Sequence, residues 1–110
     1  IAAPEITGDL TPASMSYEIV TGILRQQLNF EGVVLTDALG MGAITNEYTS
    51  AEAAVNAIGA GCDILLCPDD LRESFEAVTE SVENGTISEE RINESVYRIL
   101  RLKRMYGLIK

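Results

Sequence analysis

Two short apolar runs constrain what this chain can fold into more than any other feature. Val33-Val34-Leu35-Thr36-Asp37 and Cys62-Asp63-Ile64-Leu65-Leu66-Cys67 are almost continuous in β-branched and aliphatic residues, without polar alternation. Strands of this kind are covered on both faces, as in parallel sheets flanked by helices. The segments around them carry helical periodicity. From Ser16, the residues Ile19, Val20, Ile23, Leu24 and Leu28 recur at three- and four-residue steps and form one apolar stripe. Ser16 suits the cap of that helix, and Glu18 its positive end. A second helix is predicted from about Ser50 to Ala60. Thr49 and Glu52 have capping-box spacing, Ala53, Ala54, Ala57 and Ile58 make its face, and Gly59 and Gly61 end it. A third helix follows Pro68-Asp69-Asp70 and stops at Asn84-Gly85. The last begins after Ser88 and carries Ile92, Val96, Ile99, Leu100 and Tyr106 as its stripe. Residues 1–14 hold Pro4 and Pro12 with no periodicity and read as a loop. Residues 38–49 read as a second loop, holding Gly40, Gly42 and the short apolar piece Met41 to Ile44.

Helices alternating with buried strands imply right-handed βαβ units and a parallel sheet. Two strands alone leave two open edges and cannot be covered on both faces by four helices. The expected class is therefore α/β, with residues 1–110 forming one partial domain: about two βα units plus a terminal helix, a slice of something larger. A (β/α)8 barrel takes about 250 residues, and this chain would supply its last quarter. The chain starts at Ile1 rather than Met, which fits a fragment or a processed chain. It is globular in composition, with 46% hydrophobic and 23% charged residues.

Charge and cysteine content narrow the partners. Seventeen acidic against eight basic residues give a net charge of -9. Such a surface repels phosphate backbones, so neither nucleic acid nor an anionic membrane is an expected partner, whereas a neutral sugar meets no such penalty. No apolar stretch approaches bilayer length and no targeting signal is visible, which favours the cytoplasm for the parent protein. Cys62 and Cys67 lie five residues apart on one strand, roughly 16 Å and on opposite faces. They cannot bond to each other, and both are expected to be small buried thiols. There is no histidine, which rules out His-based zinc sites and Ser-His or Cys-His pairs within the chain.

Active sites of parallel α/β folds lie at the C-terminal ends of the strands. Asp37 ends the first apolar run immediately before a glycine-containing loop. By position alone it suits a glycosidase nucleophile or acid, a metal ligand, or a turn cap that does no chemistry. Asp69 and Asp70 follow the second run, and Asp70 with Glu73 has capping spacing. Asp63 opens its strand at the far end and reads as structural. Gly40-Met41-Gly42 is too sparse in glycine for a phosphate loop. Arg98, Arg101, Lys103 and Arg104 cluster in the last turns, where they complement the negative helix end.

The run from Leu24 to Met41 (Leu24-Arg25-Gln26-Gln27-Leu28-Asn29-Phe30-Glu31-Gly32-Val33-Val34-Leu35-Thr36-Asp37-Ala38-Leu39-Gly40-Met41) resembles the signature of family 3 glycoside hydrolases. Within that family it is most similar to the bacterial β-N-acetylhexosaminidases. Pro12-Ala13-Ser14-Met15-Ser16 resembles the segment before their corresponding helix, Ala60 to Leu66 their last barrel strand, and Arg91 to Leu100 their terminal helix. The resemblance implies a TIM-like (β/α)8 barrel, of which this chain is the C-terminal part, with Asp37 as nucleophile of the (Ser/Thr)-Asp motif. It further implies retaining hydrolysis of β-linked N-acetylhexosaminides, a carbohydrate substrate, and no cofactor or metal. Hydrogen bonds from loop amides such as those of Leu39 or Gly40 would favour the ionised nucleophile. Met41 is the candidate for lining the sugar pocket. Ala38 departs from both branches: β-glucosidase-type members usually carry Trp there, and the hexosaminidases a second Asp. The acid/base of the hexosaminidase branch is a His on an earlier loop and has no counterpart here, so the isolated chain is expected to be inactive. Its two apolar strands are each short of a neighbour, so it is also expected to self-associate. The competing reading is a non-catalytic α/β module that self-associates or binds a small molecule.

Overall fold

The computed structural model describes residues 4–40 and 42–107. Its centre is a two-stranded parallel sheet, β1 (Leu35–Ala38) beside β2 (Ile64–Leu66). A π-helix (Glu18–Gln27) precedes β1. Between the strands lie α2 (Gly42–Thr45) and α3 (Ser50–Ala60), and after them α4 (Leu71–Glu83) and α5 (Glu89–Met105). The leading segment is less irregular than its composition suggests. It holds a helical turn, α1 (Pro4–Thr7), and a 3₁₀ turn at Ala13–Met15, each closed by local backbone bonds such as the Gly8 amide to the Pro4 carbonyl.

Helix α3 is the hub. Its N-terminus carries the full capping box: the Glu52 amide donates to the Thr49 hydroxyl, and the Thr49 amide donates to the Glu52 carboxylate. Ala53, Ala54, Ala57 and Ala60 are all buried, and such small side chains let neighbouring elements approach closely. Gly61 ends the helix at φ +118°, in the left-handed region that favours glycine. A Cβ there would also stand 2.5 Å from the Thr21 hydroxyl oxygen. Two small cores meet on Leu65. One contains Met15, Leu39, Ile44 and Ala53, the other Val20, Ala57, Ala60 and Cys62.

Three expectations from periodicity do not hold. Leu28 does not continue the stripe of the first helix and is 67% exposed, because bonds such as the Leu28 amide to the Ile23 carbonyl wind that helix wider than an α-helix. Helix α5 is turned so that Arg91, Ser95 and Arg98 face inward, while its predicted stripe residues Val96 and Leu100 are exposed. Of the two thiols only Cys62 is buried. Cys67 has left β2 at a φ of 45° and lies exposed at the turn.

Candidate active site

Because β1 and β2 run parallel, their C-terminal ends open on the same edge of the sheet. Asp37 lies there, exposed, while its neighbour Thr36 points into the protein and is buried. Asp37 and the exposed Leu35 therefore share the open face. Beside them, between β1 and the π-helix, is an open cleft of about 270 Å³. Val20, Leu24, Val34 and Cys62 give it apolar walls, and Asp37 gives it a carboxylate.

The hydrogen bonds around Asp37 differ from the expected ones. The Leu39 amide donates to the Leu66 carbonyl at 2.9 Å and the Gly40 amide to the Cys67 carbonyl at 2.8 Å, so both serve the junction with β2. The Ala38 amide donates to Oδ1 of Asp37 at 2.9 Å. Gly40 has a structural reason of its own. A Cβ at that position would come within 3.0 Å of the Cys67 carbonyl oxygen, so the glycine permits the two chain segments to meet. Met41 lies outside the described residues. Asp70 caps α4 by accepting from the Glu73 amide at 3.0 Å, as its spacing predicts. Among the described residues, no group of three or more Asp, Glu or Cys side chains is placed to hold a metal ion.

The opposite end of the sheet is a clasp. Asp63, its side chain fully buried, precedes β2, hydrogen-bonds four groups from three parts of the chain and has a third arginine, Arg91, at 4.0 Å. Arg25 of the π-helix meets it at 2.6 Å and Arg98 of α5 at 3.0 Å. The Ser95 hydroxyl donates to it at 2.7 Å, and the Val34 amide, leading into β1, at 3.0 Å. Burial pushes this carboxyl up, but the hydrogen bonds from Ser95, Val34 and Arg98 and the charge of Arg25 outweigh it and hold the group below its ordinary value. Arg25 also donates to the carbonyls of Gly32 and Gly61, and Arg91 to those of Ile58 and Cys62. Their position in the last turns suggested that Arg98 and Arg101, with Lys103 and Arg104, complement the negative helix end. Arg98 instead pairs with Asp63, and Arg101 donates to the Glu31 carbonyl. The missed signal was Arg91, Ser95 and Arg98 at helical spacing, a polar stripe able to enclose one buried acid. Cys62 is not a nucleophile in this setting. Burial and then the Asp63 charge push its thiol up to about 11, and it donates to the Ser14 carbonyl.

Asp37 thus stands at the carboxyl end of a parallel strand, beside a cleft. The profile described as the N terminal domain of glycosyl hydrolase family 3 matches residues 1–102. The chain belongs to glycosyl hydrolase family 3. Over 100 residues it is 34% identical to a β-N-acetylglucosaminidase/β-glucosidase of Cellulomonas fimi, an alignment covering 91% of this chain and 18% of that protein. It is 38% identical over 113 residues to a lysosomal β-glucosidase of Dictyostelium discoideum, covering 98% of this chain and 13% of the relative. The family 3 β-N-acetylglucosaminidase of Paenibacillus sp. str. FPU-7 superimposes with a TM-score of 0.86 at 41% identity, over 92% of this chain and 20% of that structure. The chain thus spans a fifth or less of the length of these relatives. The family 3 relatives include both β-hexosaminidases and β-glucosidases, and the fold shared with the solved structure is α/β.

Proposed function

We propose that this chain forms the nucleophile-bearing C-terminal part of a family 3 (β/α)8 barrel and that Asp37 is the nucleophile of a retaining glycoside hydrolase. The observation that carries the reading is the exposed Asp37 carboxylate at the C-terminal end of β1, beside an open cleft. One Asp37 oxygen attacks the anomeric carbon as the glycosidic C–O bond breaks. The leaving oxygen takes a proton from a general acid on another part of the parent protein. Water then cleaves the glycosyl ester and restores the free carboxylate. The names of the relatives favour β-linked N-acetylhexosaminides as substrates, with Met41 as a pocket-lining candidate. Exposed apolar side chains on β1 and along α4 and α5 support the larger barrel, since they offer a surface for further strands and helices. The test is covalent trapping in the full-length parent. A 5-fluoro-glycosyl fluoride of N-acetylglucosamine should esterify Asp37, and peptide mapping that finds the label on Asp69 or Asp70 would overturn the assignment.

A further inference from the structure

We propose that Thr36 is a positioning residue whose buried hydroxyl holds an extra residue in β1 and thereby sets where the Asp37 carboxylate stands. The proposal rests on the reading of Asp37 as nucleophile. The pairing itself reveals the extra residue. Leu35 stands opposite Ile64, but Ala38 stands opposite Leu66, so three steps along β1 match two along β2. The hydrogen bonds agree. The Ile64 amide donates to the Val34 carbonyl, and regular parallel alternation from there would bring the Ala38 amide to the Leu66 carbonyl. Leu39 donates to it instead. The surplus therefore falls at Thr36-Asp37, a β-bulge of the kind that re-aims a side chain.

Two bonds hold it. The Leu66 amide donates to the Thr36 hydroxyl oxygen at 2.9 Å, so a side chain serves the ladder where the register slips. The Ala38 amide, displaced from the Leu66 carbonyl, donates to Oδ1 of Asp37 and orients the carboxylate. Without the hydroxyl, the Leu66 amide loses this acceptor and the bulge loses its anchor. Drawing β1 back into regular register would return the Ala38 amide to Leu66. It would also draw Asp37 into the place opposite Leu66 that Ala38 now holds, and take the Ala38 amide away from its carboxylate. Thr36 need not touch the sugar to matter.

The experiment uses the full-length parent protein and reads attack by the nucleophile directly, as the rate of inactivation by the 5-fluoro-glycosyl fluoride. Thr36→Val keeps the shape and removes the oxygen. Its inactivation rate constant should fall roughly 10- to 100-fold, the scale of a misplaced reacting group, with little change in the inactivator's binding constant. Thr36→Ser restores the oxygen and should come within a few-fold of wild type. A valine variant as fast as wild type, with the label still on Asp37, overturns the positioning role and leaves the nucleophile assignment standing. A label on another residue overturns the nucleophile assignment itself. If the valine variant does not fold, the serine variant decides: a folded serine enzyme slowed tenfold or more shows that the methyl group, not the hydroxyl, is required, and the proposal fails.

Discussion

Asp37 and Asp63 are both strand-end carboxylates, yet their surroundings assign them opposite tasks. Asp37 is exposed and held by the amide of its own neighbour, so replacing it disturbs little. Asp37→Asn should unfold within about 0.5 kcal/mol of wild type but lower turnover of the full-length parent by roughly 10,000-fold, as removal of a covalent nucleophile does. Denaturant melts beside kcat measurements check both halves. Asp63 is buried among guanidinium groups, and Asp63→Ala should destabilise by about 3–5 kcal/mol, because it strands those charges. Its pH dependence has a definite sign. A carboxyl held low in the folded state stabilises above its ordinary value of 3.8, and that stabilisation is lost as pH falls below it. The stability difference between wild type and Asp63→Asn should therefore shrink from pH 6 toward pH 3 in urea melts. A difference that stays constant would mean Asp63 is not ionised in the clasp.

Among the elements, α5 most clearly defeats sequence patterning. Its apolar stripe suggested the buried face, but the clasp turns Arg91, Ser95 and Arg98 inward and leaves Leu100 47% exposed. The expected mutational pattern is the reverse of an ordinary amphipathic helix. Leu100→Glu should change the stability of the monomeric chain by no more than about 0.5 kcal/mol. Arg98→Ala should cost about 1–3 kcal/mol, since it removes a charged partner from a buried acid. Urea midpoints of the two variants decide the matter, and a large loss for Leu100→Glu would mean that this face is buried within the folded monomer. Other elements were legible because their signals are local. The capping box at Thr49, the cap at Asp70, the stop at Gly61 and the boundaries of α3 depend on residues within one turn, and all appear as read. The π-helix was not legible, since a 3.6-residue period presumes the winding it is used to detect.

At the scale of the whole molecule, the core is thin. Among the described residues the most deeply buried apolar side chains are alanines and Cys62, while Leu35 is 53% and Phe75 70% exposed. Leaving each such large side chain in water forgoes on the order of 1.5–3 kcal/mol, comparable over several residues with the whole stability of a small domain. Among the described residues both strands also have an unpaired outer edge, and β2 carries no charge to protect its own. The isolated chain should therefore self-associate at micromolar concentration, with a sedimentation coefficient that rises with concentration. A compact monomer with a single cooperative melt would show that the exposed faces need no cover, and would count against the barrel-segment reading.

What this sequence determined by itself is what short-range chemistry encodes: two short apolar strands, the caps and stops of α3 and α4, and an acid at the end of β1 within a family 3 signature. The cover expected on both strand faces is not there, with Leu35 and Leu66 exposed. What only the tertiary structure decided depends on residues distant in the chain. Asp63 could not be given its three arginine neighbours until the π-helix and α5 were brought against it. The role of Thr36 could not be seen until β2 lay alongside β1, because a register is a property of two strands and neither sequence alone records which residue is surplus.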